Sequence, residues 1–222
     1  MEVPKVKKTV YLTSKQDGLK LHVLLMEPEE EPKGIVQIVH GMAEHKERYE
    51  PFMEMLCKQG YISIIHDHRG HGKSIRVKED LGYFYDESGK AIVEDVHQIT
   101  QWAKDRYGEM PYHLFGHSMG SLVVRCYLKK YDNELDSLII CGSPSENKAA
   151  KAATLLAKAA CKIRPHKRGD FFQKLAFGLY GKILEEGESE KAEDAVEQTE
   201  SAAEEAVCEA AEETGACARS AH

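Results

Sequence analysis

Tyr112-His113-Leu114-Phe115-Gly116-His117-Ser118-Met119-Gly120-Ser121-Leu122-Val123-Val124-Arg125-Cys126-Tyr127-Leu128 is the stretch that decides how this chain is read. It passes from a short apolar run with strand character, through a Gly-x-Ser-x-Gly pentapeptide, into a run with a helix-length apolar face. A serine between two glycines at such a junction sits on a sharp, strained strand-to-helix turn, where side chains two residues to either side collide with neighbouring backbone. The turn holds Ser118 clear of the sheet. The start of the following helix aims backbone N–H groups and a positive dipole end at charge developing on a bound carbonyl oxygen. Ser118 is therefore the candidate nucleophile and the Met119 N–H a candidate oxyanion donor, with Gly116 and Gly120 permitting the bend. His117 reads as a neighbour that supports the turn, not as the base.

Working outward, strands and helices alternate on both sides of this junction. Two β-rich stretches, within 7–13 and 19–28, flank the turn Lys15-Gln16-Asp17-Gly18 and read as a hairpin. Gly34 to His40 is rich in β-branched residues, as expected of a strand buried on both faces, and it runs into His40-Gly41-Met42-Ala43-Glu44-His45. A helical stretch from about Tyr49 to Lys58 stops at Gly60, and a second buried strand, 61–65, leads into Asp67-His68-Arg69-Gly70-His71-Gly72. A long helix from about Ala91 to Tyr107 carries Ile92, Val96, Ile99 and Ala103 on one face, and Ser137 to Cys141 is one more strand. This alternation predicts an α/β fold, a mainly parallel sheet with helices on both faces. Loops at the carboxyl ends of such strands face ligands, so His40-Gly41 marks a second part of the site. The Met42 N–H is the natural second oxyanion donor there, with His40 fixing the loop and Gly41 supporting it.

Other readings of the same residues are weaker. His40, His45, His66, His68 and His71 fall in a short span, but their spacing matches no metal-ligand pattern, so no metal site and no cofactor is predicted. Asp67 precedes the serine, the wrong order for the acid of a Ser, Asp or Glu, His set. The six cysteines are widely spaced, without a Cys-x-x-Cys pair, and read as free thiols. The N-terminal stretch lacks the apolar core of a signal peptide and no run of eighteen apolar residues occurs, so a cytoplasmic protein is expected.

The net charge of −7 over 222 residues is unevenly spread. Residues 183–222 hold thirteen acids and two bases, which leaves residues 1–182 at +4. That modest excess, with no matching fold, gives no support for nucleic-acid binding. Nothing in the sequence sets an oligomeric state.

The motifs HGMAEH, DHRGHGKS and GHSMGS, in this order and with strands and helices between them, resemble the monoacylglycerol lipase and lysophospholipase branch of the α/β-hydrolases, also labelled serine aminopeptidase-like hydrolases. The resemblance covers about Val10 to Lys182. It implies an α/β-hydrolase fold, Ser118 as nucleophile, Met42 and Met119 as oxyanion-hole residues, and a helical cap after the sixth strand. It also implies a small-molecule or lipid ester substrate, typically a monoacylglycerol or lysophospholipid, and no metal or organic cofactor. The chain accordingly divides into a hydrolase core over 1–146, a cap segment over 147–182, and an acidic Ala/Glu-rich tail over 183–222, helical or disordered. Phe171, Phe172, Leu175, Phe177 and Leu179 beside the basic run Lys162 to Arg168 have the composition of a face that meets an anionic lipid surface. A cap face packed on the core with a solvated edge has the same composition.

The chain departs from the family after residue 182, where the strands that carry the acid and base are expected and no buried-strand pattern is found. Within that tail, the acid and base left in the right order are a choice such as Asp194 with His222. Three expectations follow. The chain is an esterase acting through Ser118, or a truncated, catalytically weak or inactive relative without its acid and base, or a non-enzymatic partner protein using the acidic tail.

Overall fold

β1 (Val6–Thr13) and β2 (Lys20–Glu27) form the expected antiparallel hairpin. From β3 (Gly34–Val39) onward strands and helices alternate: α1 (Glu50–Lys58), β4 (Tyr61–His66), α2 (Lys90–Tyr107), β5 (Tyr112–His117), α3 (Met119–Tyr131) and β6 (Ser137–Cys141). The computed structural model describes residues 6–86 and 88–143, all within one of two compact units; the cap and tail segments, with Asp194 and His222, lie outside the described residues. The helix read over Leu122 to Leu128 starts earlier than its apolar run, directly after Ser118, because the glycine-bracketed turn delivers the backbone into helical geometry at once. None of the described helices is long and apolar enough to cross a membrane.

The sheet order is β1-β2-β4-β3-β5-β6, with the last four strands mutually parallel. The order reverses at β3, since the chain moves from β3 to β4 on one side and then crosses back to β5 on the other. Right-handed crossovers made in opposite directions place their helices on opposite faces, and the packing follows that rule. Met53 and Leu56 of α1 pack on Leu24, Met26, Val36, Ile38, Ile65 and Phe115. The predicted stripe of α2 packs on the alternate residues of the same strands: Ile99 and Ala103 on Leu21, Val23, Ile35, Ile62 and Tyr112, and Ile92 and Val96 with Val39, Leu114 and Val124. At about 25 cal/mol per Å² of apolar surface removed from water, these two layers are the main favourable term of the fold.

Gln37 and Arg69, polar side chains caught inside the layers, are both paired. Gln37, on the α2 face of β3, donates to the Val96 carbonyl at 3.1 Å and accepts from the hydroxyls of Thr100 and Tyr112. Arg69, 1 % exposed, donates through Nε to Asp95 at 2.8 Å and reaches Ser14, Asp17 and the Phe84 carbonyl. Ser14 in turn donates to Asp95. One buried ion pair thus joins the β1–β2 turn, the loop after β4 and α2. Asp95→Ala leaves the Arg69 guanidinium buried without its carboxylate, and urea unfolding is expected to show a loss of about 3–5 kcal/mol; a loss no larger than that of an exposed substitution on α2 would refute the assigned pairing.

A histidine cluster closes the carboxyl end of β4. Ring centroids lie 4.1 Å apart for His40 and His68, 4.8 Å for His66 and His68, and 5.5 Å for His40 and His71. Burial, reinforced by neighbouring imidazoles, lowers His40 from 6.5 to about 4 and His66 to about 3, and puts His68 well below its ordinary value. Unfolded chains take up these protons below pH about 6.5 while the folded chain refuses them, so stability present above that pH drains as pH falls toward about 4. Neither nitrogen of His66 has a hydrogen-bond partner among the described residues. His66→Phe is therefore expected to match or exceed the parent at neutral pH, by up to about 1 kcal/mol, and to flatten the acid-side fall in urea-unfolding free energy; a steep neutral-pH loss would contradict this.

Candidate active site

Where the order of a parallel sheet reverses, the loops leaving adjacent strands run to opposite faces and a crevice opens between them. Here that point lies between β3 and β5, whose register pairs Val39 with Gly116. The loops at the crevice are therefore His40-Gly41-Met42 and His117-Ser118-Met119. The two sequence motifs come together at the carboxyl end of the sheet.

Three glycines allow the approach. A Cβ at Gly120 would lie 1.9 Å from the Val39 carbonyl oxygen, so the first turn of α3 rests on the end of β3 with room for a hydrogen alone. A Cβ at Gly116 would meet the Val124 side chain at 2.6 Å and the Gly120 carbonyl at 2.8 Å. A Cβ at Gly41 would sit 3.2 Å from Ser118 Cβ, which measures how closely the loop after β3 faces the serine.

Ser118 has φ 50° and ψ −117°, a left-handed conformation that costs a non-glycine residue about 1–3 kcal/mol. Its N–H donates to the Cys141 carbonyl at 3.0 Å, and its carbonyl accepts from the N–H and hydroxyl of Ser121. The strain is held from both sides. The Ser118 hydroxyl itself has no hydrogen-bond partner among the described residues, and the side chain is partly exposed. Met119 begins α3, so its N–H has no acceptor within the helix.

The loop after β3 is pinned through His40, which is fully buried. Its Nε2 accepts from the His68 N–H at 3.0 Å, which leaves the ring proton on Nδ1 to be donated to the Gly41 carbonyl at 2.7 Å. In a trans peptide the carbonyl of Gly41 and the N–H of Met42 point in opposite directions. Holding the first inward turns the second outward, while the Gly41 N–H goes to the Glu44 carboxylate at 2.7 Å. Met42 itself is 50 % exposed.

Two residues that the sequence reading left without a role sit directly behind this loop. Glu44 accepts from Gly41 N–H and from the Tyr49 hydroxyl at 2.8 Å. Having given its single proton to Glu44, the Tyr49 oxygen accepts from His117 Nδ1 at 2.9 Å. A longer 3.4 Å contact links His117 directly to Glu44. Burial alone would raise the Glu44 carboxyl, but hydrogen bonds from His117, Tyr49 and the Gly41 amide outweigh it and hold the group at about 2. The signal for Glu44 was the carboxylate three residues after Gly41 in HGMAEH; nothing local marks Tyr49 as the link to His117, which is 68 residues away.

Asp67 lies elsewhere in the arrangement. Its Oδ1 accepts from Lys46 N–H at 2.8 Å, and its Oδ2 accepts from Lys46 Nζ at 2.6 Å and Lys73 N–H at 2.9 Å. Both oxygens are committed to tying the loops after β3 and β4 together. Among the described residues no three His, Cys, Asp or Glu side chains are grouped to hold a metal ion.

Comparison with known proteins supplies the family. Residues 30–211 match the family profile described as "Serine aminopeptidase, S33". A monoacylglycerol lipase of Mycolicibacterium smegmatis is 31 % identical over 128 residues, 56 % of this chain and 43 % of that protein. A probable lysophospholipase L2 of Haemophilus influenzae is 27 % identical over 60 % of this chain and 42 % of its own length. The chain thus spans less than half the length of these curated relatives. Among solved structures, a thermostable carboxyl esterase from Bacillus coagulans superposes with a TM-score of 0.66 at 26 % identity, covering 76 % of this chain and 55 % of that one. A strained serine between a parallel strand and a helix, at the reversal point of an α/β-hydrolase sheet, and a profile match over most of the length together assign the chain to the serine aminopeptidase S33 family of hydrolases.

Proposed function

We propose that this chain is a serine hydrolase of lipid carboxylic esters, of the monoacylglycerol or lysophospholipid type. The observation that carries the proposal is the strained backbone of Ser118, which puts the hydroxyl at the positive end of α3 and opposite Gly41. In this reading Ser118 Oγ attacks the ester carbonyl, and the Met42 and Met119 amides receive the negative charge that forms on its oxygen. The alcohol leaves with a proton, an acyl group stays on Ser118, and water releases it as the carboxylate. Donors already in place stabilise that charge without reorganising, typically by a hundredfold or more in rate per donor. The substrate class rests on the activities named for the two relatives. Contact with a lipid surface through 147–182 and a cytoplasmic setting belong to the same proposal; the first rests on composition, the second on the free thiols of Cys57, Cys126 and Cys141.

A second reading has a specific observation behind it. Both ring nitrogens of His40 are engaged, and among the described residues no hydrogen bond joins His117 or any other imidazole to the Ser118 hydroxyl, so none is paired with it as a base. A serine without a base is a poor nucleophile, although the oxyanion donors alone sustain residual rate. In that reading the chain is a weak or inactive hydrolase.

Labelling with a fluorescent fluorophosphonate, read by gel and by peptide mass, separates the two. Strong labelling confined to Ser118, lost in Ser118→Ala and accompanied by turnover of a monoacylglycerol, is the expected result. A folded chain that neither labels at Ser118 nor turns over ester sinks the enzyme proposal in favour of the weak form. The strain is testable without activity: Ser118→Gly is expected to raise the unfolding free energy by about 1 kcal/mol, since glycine adopts the same φ freely. A loss of about 0.5–1 kcal/mol, glycine's ordinary entropic cost, would mean that the turn is relaxed.

A further inference from the structure

We propose that Glu44 is the positioning residue that holds both halves of the oxyanion-binding crevice in register. The proposal rests on the reading of Ser118 and the Met42 and Met119 amides given above. One oxygen, Oε2, takes the Gly41 N–H at 2.7 Å and the Tyr49 hydroxyl at 2.8 Å, and Tyr49 passes the connection to His117, the residue before the serine. A single carboxylate, with its side chain 10 % exposed, therefore reaches the loop after β3 directly and the turn after β5 through one phenol.

The geometry makes Gly41 the pivot. The point where its Cβ would stand is 2.7 Å from Glu44 Oε2 and 3.2 Å from Ser118 Cβ, so carboxylate and serine flank the same backbone atom. Gly41 is gripped on its carbonyl by His40 and on its N–H by Glu44. Two successive peptide planes are thereby fixed, and the second carries the Met42 N–H. Without the Glu44 acceptor the first plane is free to rotate, and the grip on the second rests on the His40 bond alone. Glu44 touches no reacting atom in this account; it acts through Gly41 and His117. What it supplies is an acceptor at the right reach. Its charge works against an oxyanion nearby and is offset by Arg48, 3.4 Å from the other carboxylate oxygen.

The test follows phosphonylation of Ser118 by a fluorophosphonate, with maximal rate and reagent affinity resolved, alongside hydrogen exchange of the Gly41 amide by NMR. Glu44→Gln keeps an acceptor and removes the charge; it is expected to stay within about threefold of the parent in rate and to keep Gly41 protected. Glu44→Ala is expected to lose about thirtyfold or more in maximal rate with affinity little changed, and to exchange Gly41 at least about tenfold faster. Should the alanine variant not fold, Glu44→Asp keeps the charge but shortens the reach, and the same pattern at smaller amplitude is expected. Parent-like rates and Gly41 protection in a folded Ala or Asp variant would overturn the proposal, as would a Gln variant as impaired as Ala. If the parent chain itself does not label, the hydrolase reading fails, and Gly41 exchange decides the role of Glu44 alone: faster in the Ala or Asp variant supports it, unchanged refutes it.

Discussion

The first turn of α3 lies against the last carbonyl of β3 so closely that a methyl group at Gly120 would stand 1.9 Å from the Val39 oxygen. The rest of the site depends on that approach. It brings the start of a helix, with its unpaired amides, over the same strand end from which the His40-Gly41 loop departs. It also forces the backbone to bend within one residue, and the residue at the bend is Ser118 with its positive φ. A helix starting one turn further from the sheet would relax the serine and separate it from the loop after β3. The strain of about 1–3 kcal/mol is small beside the apolar burial of the two helix layers, which is why the fold can hold it.

The carboxyl end of the sheet is held together by polar links, whereas its middle is held by hydrocarbon. Lys46 and Asp67 join the loops after β3 and β4, Arg69 and Asp95 join the loop after β4 to α2, and His40 joins Gly41 to His68. Apolar contacts tolerate small slides, while buried charges and shared protons enforce particular donor and acceptor distances. Placing the second kind of contact around the crevice restrains the loop backbones more tightly than apolar packing alone. It also concentrates acid sensitivity there, because the neutral imidazoles of His40, His66 and His68 lie in the same layer.

Much of this was legible in the sequence because it rests on local patterns. The β-branched runs of β3 and β4, the 3.6-residue stripe of α2 and the glycine-bracketed Ser118 each carry their meaning within a few residues. The reversal of strand order was implied by alternation but not located by it, since the handedness of crossovers does not say which strand the chain returns beside. The sequence pointed to His40 as a loop fastener without showing how; the tautomer became readable with the His68 amide in place. The Glu44, Tyr49 and His117 chain was missed outright, because its distances depend on two loops meeting across 68 residues. Asp67 was set aside on chain order alone. The reason visible in three dimensions is different: both its oxygens are engaged by Lys46 and Lys73.

The reversal of strand order at β3 means that the crevice is a gap between diverging chain paths, not a hollow built from long insertions. Its two walls belong to connections that continue onto opposite faces of the sheet, so each can lengthen or change composition without displacing the other. What roofs the gap can therefore vary while the strained turn and the loop below stay the same. A fold of this kind can rebuild its ceiling and leave its floor untouched.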